Sequence, residues 1–157
     1  GGSTEINLIS EGELKSSRSY NIGTVRMLSG MVKNEEKEQM HTDLEVLAKE
    51  YAPIHIIGSG GNINKLFRLA DKKDKKQLFL PLASLQDIYR TLKDLPKEQR
   101  IKLFKLKPDR ADVIVPAAEI FMEVATRVQA NGIIVPTIGL SDGIIDSLYT
   151  KNRQWMQ

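Results

Sequence analysis

Ile54-His55-Ile56-Ile57-Gly58-Ser59-Gly60-Gly61-Asn62-Ile63-Asn64-Lys65-Leu66 is the stretch whose reading decides the fold. A short, largely apolar run ends in small residues, and Ile63, Leu66, Phe67 and Ala70 then recur at helical spacing. The pattern predicts a strand buried inside a sheet, a glycine loop and a helix. Glycines let backbone N–H groups come close to an anion, and a helix N-terminus adds unpaired donors and the positive end of its macrodipole. Ser59, Gly60, Gly61 and Asn62 therefore form a candidate phosphate cradle, with Asn62 also the expected cap of the helix.

A comparable loop, Gly1-Gly2-Ser3-Thr4-Glu5, stands about 55 positions earlier and opens onto Ile6-Asn7-Leu8-Ile9. Gly1 and Gly2 offer backbone N–H groups to phosphate, and Ser3 and Thr4 offer hydroxyl donors. A plain hairpin turn would use the same residues. A chain that starts inside such a loop reads as part of a larger protein.

Around these loops, Glu5 to Ile9 alternates as a strand, Glu11-Gly12-Glu13 turns, and Leu14 to Ile22 reads as a second, mostly polar strand. Asn34 is expected to cap a helix carrying Met40, Leu44, Leu47, Ala48 and Tyr51, which Pro53 ends. Ser84 and Asp87 suggest a capping box before Leu85, Ile88, Tyr89 and Leu92, and a short helix is expected near Pro96. The longest helix is predicted from about Asp109 to Asn131, with Pro116 marking a kink or a later start and Gly132 closing it. Ile133 to Ile138 reads as another buried strand, and Ser141 as the cap of a last helix through Ile144, Ile145, Leu148 and Tyr149. The expected order is strand, strand, strand, helix, strand, helices, strand, helix. That is an α/β layered domain with its glycine loops at strand ends, where ligands bind in such sheets.

A chain of 157 residues, 41% hydrophobic and 27% charged, can bury one ordinary core and reads as a single domain. It has no cysteine, which excludes disulfides, thiolate metal sites and a thiol nucleophile and fits a cytoplasmic protein. No apolar run reaches membrane-spanning length, because Val113 to Val128 already contains Glu119, Glu123 and Arg127. The net charge of +3 hides an asymmetry: Lys65 to Arg110 holds 14 lysines and arginines against 6 acids, and the remainder 9 against 14. A basic middle favours a polyanion, although a solvated helical surface would look the same, and few aromatics interleave it.

Five blocks in order resemble the Ppx/GppA phosphatases, and together they cover nearly the whole chain. They are Gly1-Gly2-Ser3-Thr4-Glu5, Ile22-Gly23-Thr24-Val25-Arg26, Gly58-Ser59-Gly60-Gly61-Asn62-Ile63-Asn64-Lys65-Leu66, Arg110-Ala111-Asp112-Val113-Ile114-Val115-Pro116 and Gly139-Leu140-Ser141-Asp142-Gly143. The resemblance implies a lobe of ribonuclease-H-like fold from the sugar kinase, actin and Hsp70 superfamily, a mixed sheet flanked by helices. It further implies that residues 1–157 are the C-terminal lobe of a two-lobed phosphohydrolase, whose partner is the missing N-terminal lobe. The family's first phosphate motif begins with an aspartate and a further glycine that are absent here, so this chain alone is expected to be nearly inactive.

The implied substrate is inorganic polyphosphate or guanosine pentaphosphate (pppGpp), with Mg²⁺ as cofactor. A carboxylate beside a phosphate loop makes sense only with a cation between them, and the resemblance casts Glu5 as the catalytic residue that binds Mg²⁺ or orients the attacking water. Without the resemblance, Glu5 reads as an exposed strand residue. The roles of Arg110 and Asp112 stay open between anion contact and structural pairing, that of Asp142 between an acidic first-turn residue favoured by the helix dipole and a metal ligand, and His41 and His55 read as structural. A homodimer is left open, and no membrane or nucleic-acid partner is expected. Two alternatives stand beside this reading: an ATP-binding kinase or ATPase lobe of the same superfamily, and a non-catalytic remnant that binds an alarmone or polyphosphate.

Overall fold

The computed structural model describes residues 2–136 and 147–152. β1 (Thr4–Ser10) and β2 (Glu13–Tyr20) form an antiparallel hairpin. The short α1 (Thr24–Leu28) and the long α2 (Asn34–Tyr51) lead to β3 (Ile54–Ser59), which passes into α3 (Gly61–Leu69). β4 (Phe79–Pro81), α4 (Leu82–Asp94), α5 (Lys97–Phe104), α6 (Pro108–Arg127) and β5 (Gly132–Ile134) follow, and β6 (Ser147–Asn152) closes the described chain. The strands form one sheet in the order β2-β1-β6-β3-β5-β4. β1 with β6 and β3 with β5 are parallel, and the other neighbours are antiparallel. The protein is thus a mixed α/β domain with helices flanking the sheet, as its sequence pattern leads one to expect.

The hairpin follows from its own residues. Glu11 and Gly12 both take positive φ, 54° and 78°, the conformation of the two-residue turns that match strand twist. Along β1, Thr4, Ile6, Leu8 and Ser10 are buried, while Glu5 is exposed on the opposite face. Tyr20 ends β2 on the buried side, where its hydroxyl donates to Asp43 of α2 at 2.7 Å. Burial, then that carboxylate, raises the phenol well above its ordinary pKa.

The core forms where α6 lies against the sheet. Ala111, Ile114, Ala118, Val124 and Ala125 of this helix are fully buried, and it touches α1, α2, α3, α4 and α5. Small residues let it come close. Gly58 of β3 completes the fit, since a Cβ there would stand 2.9 Å from both Phe121 Cε1 and Ile133 Cγ2.

Several boundaries differ from the sequence reading. A helix, α1, stands where a third strand was expected, because the chain turns back at Gly23 to pack on α6. β3 runs through Gly58 and Ser59, so the second loop shrinks to Gly60. α4 begins at Leu82, which puts Ser84 and Asp87 inside it. Ser84 is buried, Asp87 pairs with Arg90 at 2.5 Å, and no capping box forms. α6 starts at Pro108 and continues through Pro116, so that proline delays nothing. It ends at Arg127, closed by Gln129 at φ 59° with the Ala130 N–H bonded to the Ala125 carbonyl. Gly132 instead lies in β5, where a Cβ would collide with the Leu80 carbonyl and the Phe79 ring. Leu148 and Tyr149 belong to β6 rather than to a last helix. Gly1, Ser141, Asp142, Ile144 and Ile145 fall outside the described residues. No helix among the described residues is long and apolar enough to cross a membrane.

The close seat of α6 on Gly58 is testable. Gly58→Ala overpacks the contact with Phe121 and Ile133, and we expect a loss of about 1–3 kcal/mol. Urea unfolding followed by circular dichroism measures it. An unchanged midpoint would show that the helix can back away at no cost.

Candidate functional site

Strand register brings the two small-residue turns to one end of the sheet. Glu5 of β1 pairs with Ser147 of β6, and Ser147 pairs with Ser59 of β3. One strand therefore separates the start of β1 from the end of β3, a span of roughly 10 Å at the usual strand spacing. On the outer side Glu5 faces Ser19 of β2. The C-terminal end of β5 lies at the same end, because Ile57 pairs with Ile134 in parallel.

At the first turn, Gly2 is exposed, and a Cβ added to it would meet nothing within 4 Å. Its carbonyl accepts from Arg26 Nε at 2.8 Å, which ties the turn to α1. Ser3 is half-buried. Thr4 is buried, and its hydroxyl donates to the Ile22 carbonyl. That proton is directed inward, away from the open end of the turn. The Glu5 carboxylate is exposed and has no hydrogen-bond or ion-pair partner among the described residues.

At the second turn, Gly60 takes φ 121° and ψ 168°, a backbone that side chains rarely tolerate, and the chain enters α3 at once. No side chain caps this helix. Asn62 sits within its first turn rather than at the cap, and its Oδ1 accepts from Arg110 Nη1 at 2.5 Å. The guanidinium rests against Gly61, where a Cβ would stand 2.5 Å from Nη2 and 2.9 Å from Nη1. A cation thus lies beside the positive end of the α3 dipole and its unpaired N–H groups, a juxtaposition that an anion relieves.

Beyond this turn opens a cleft of about 330 Å³, between α3 and the connection from α5 to α6. Lys65, Arg68, Lys105, Lys107 and Arg110 line it together with Gly61, Asn64 and Leu106, and no carboxylate among the described residues does. Lys105 holds a left-handed conformation at φ 54°, and Leu106 is buried beneath the connection.

Comparison with known proteins then gives the lineage. The sequence model described as the Ppx/GppA phosphatase family matches residues 1–152. The chain belongs to the Ppx/GppA phosphatase family. Its fold is that of the Aquifex aeolicus Ppx/GppA phosphatase in its type II variant, at 23% identity and a TM-score of 0.61, covering 90% of this chain and 55% of that one. It is likewise similar to an exopolyphosphatase from Cytophaga hutchinsonii ATCC 33406, at 19% identity and a TM-score of 0.65, with 90% and 55% covered. The chain spans about half the length of these structures. Comparison with curated proteins found no match.

Among the described residues of this Ppx/GppA chain, no cluster of three or more metal-ligating side chains exists. One free carboxylate such as Glu5, beside the glycine turn, still fits magnesium, which takes one or two carboxylates and fills its sphere with water and phosphate oxygens. Asp112 pairs with Lys97 at 2.7 Å, the structural role left open by the sequence. His41 pairs with Glu123 at 2.8 Å and lies on the α2–α6 surface.

The sequence reading passed over Arg26 as an individual residue and missed the Asn62–Arg110 bond. Arg26 had a signal in the Ile22–Arg26 block, whereas a contact across 48 positions had none. We expect Asn62→Ala to cost about 1.5–3 kcal/mol, the range for losing a hydrogen bond to a charged group. Thermal unfolding of the variant measures it. Wild-type stability would show that the Arg110 bond to this helix contributes nothing.

Proposed function

We propose that the whole protein is a phosphohydrolase that removes the terminal phosphate of inorganic polyphosphate or pppGpp by attack of water, and that this chain is its C-terminal lobe. One observation carries the reading: register sets two turns rich in backbone donors on one end of the sheet, with Glu5 beside the first of them, open to solvent and without a partner among the described residues. Family membership and the exopolyphosphatase fold support it.

In this reading the turn at Gly2 and Ser3 and the first turn of α3 bind neighbouring phosphoryl groups through N–H donors. Those donors are fixed before the reaction and need no reorganisation as charge moves from the attacking to the leaving oxygen. Glu5 orients the attacking water and accepts a hydrogen bond from it. Thr4 acts indirectly, holding the turn to Ile22. Arg26 does the same from α1, by fixing the Gly2 carbonyl away from the anion. Magnesium, if bound at Glu5, would neutralise phosphoryl oxygens and acidify water.

An ATP-binding lobe would need an adenosine pocket after the second turn. The space that follows is the cationic cleft, whose lining offers no aromatic or broad apolar platform for a purine among the described residues. That favours a phosphate-rich ligand.

In the whole protein, Glu5→Gln is expected to lower magnesium-dependent turnover by about 10²-fold or more, the scale of losing one group that stabilises developing charge. KM should change less. Phosphate release from polyphosphate and from pppGpp reads the effect, with circular dichroism as the control for folding. Near-normal turnover would return Glu5 to the status of an exposed strand residue. The 157-residue chain alone should release little phosphate, and brisk release by it would refute its assignment as half a catalyst.

A further inference from the structure

We infer that the cationic cleft beside the second turn is a docking subsite for the part of an oligophosphate that lies beyond its terminal phosphates, with Lys65, Arg68, Lys105 and Lys107 as its cations. This rests on the phosphohydrolase reading above and gives that site further residues and a direction. The cleft shares Gly61 with the N-terminus of α3, so an anion held at the helix start continues into it.

Convergence in one concavity distinguishes this cleft from an ordinary basic surface. Elsewhere in the basic middle of the chain, Lys72, Lys75 and Lys76 are exposed on a loop, and other cations have partners. Arg90 pairs with Asp87 and Lys97 with Asp112. Arg100 donates to the carbonyls of Leu92 and Ala111. Lys73 donates to the Arg68 carbonyl and lies over the Phe67 ring. Lys65, Arg68, Lys105 and Lys107 have no acidic partner among the described residues, and they converge on one concavity with no carboxylate from the described residues in its wall. Their mutual repulsion is screened by salt in water, and a polyanion relieves it further.

The cleft is also built rather than draped. Buried Leu106, 4% exposed, pins the connection between its two exposed lysines, and the left-handed Lys105 closes α5 so that the connection turns toward α3. Asn64 lines the cleft as well, and its Oδ1 is buried without a partner among the described residues. No aromatic side chain among the described residues lines the space, so these offer nothing on which bases of a single strand could stack.

The test is calorimetric binding to this chain of orthophosphate, tripolyphosphate, a longer linear polyphosphate, pppGpp and a single-stranded oligonucleotide matched in charge, at two salt concentrations. The variants are Lys105→Gln with Lys107→Gln, and Lys65→Gln with Arg68→Gln; exposed Lys107→Gln alone serves if a double variant does not fold. Wild type should bind tripolyphosphate at least about tenfold more tightly than orthophosphate, a difference of about 1.4 kcal/mol. Each double variant should lose most of that advantage and show a shallower salt dependence. Loss confined to linear chains assigns the cleft to inorganic polyphosphate, and loss confined to pppGpp assigns it to phosphates borne on a nucleoside. Folded variants that keep wild-type affinity for both overturn the subsite. An oligonucleotide that binds as tightly as the linear chain, and weakens equally in the variants, overturns it in favour of nucleic acid. Failure of the hydrolysis reading would show separately, as no phosphate release by the whole protein with magnesium.

Discussion

The seating of α6 against the sheet is the contact on which the rest depends. Five helices touch this one helix, and its buried face is largely alanine, valine and isoleucine, with Phe121 as the large ring. Small residues on the helix and Gly58 on β3 let the two layers approach, and close approach is what converts apolar area into dispersion contacts at interior density. The same seating reaches the second turn. Arg110 stands in the first turn of α6, so the placement of the helix decides that its guanidinium reaches Asn62 and Gly61 at the start of α3. The cation beside the start of α3 is therefore an output of core packing.

Charge is distributed in two different ways over this scaffold. On the α2–α6 surface, Arg127 bonds both Glu123 and Glu45, and His41 shares Glu123. Near the hairpin, Arg18 lies 3.6 Å from Asp43, which also accepts from Tyr20. Such exposed pairs contribute little to stability, but they leave no strong unbalanced field. Around the N-terminus of α3 the opposite holds: helix dipole, Arg110 and the lysines beyond it all present positive charge. A fold gains nothing from that arrangement by itself, and a bound anion would relieve it.

How far the sequence could be read follows from where each feature takes its cause. β1, α2, β3 and the body of α6 were legible because hydrophobic period and local turn chemistry determine them; Glu11-Gly12 and the apolar run at Ile54 are instances. The glycine turns were legible for the same reason. α1 was missed because five residues carry too little period to reveal a helix, and its seat on α6 decides its form. β4 was missed because three residues, Phe79–Pro81, take their extended form from pairing with β5, a non-local contact. The cap of α6 went to Gln129 rather than Gly132 because packing of β4 against β5 claims Gly132 for its missing Cβ. The basic middle was visible as composition, but its gathering into one cleft depends on the turn at Lys105 and the burial of Leu106, which no period in the sequence encodes.

The glycines show why a glycine-rich motif is a compound signal. Gly58, Gly60 and Gly61 stand within four positions, yet each is glycine for a separate reason. At Gly58 the space is filled by Phe121 and Ile133, at Gly60 the φ of 121° is the constraint, and at Gly61 the obstacle is the Arg110 guanidinium. None of these reasons requires a phosphate. Gly2 differs, because no described residue stands near its absent Cβ, and neither packing against the described residues nor a positive φ accounts for it. It is exposed, three positions before the equally exposed Glu5. The two turns are therefore unlike in origin. The second is built from structural necessities that leave helix donors exposed. The first has no such necessity among the described residues.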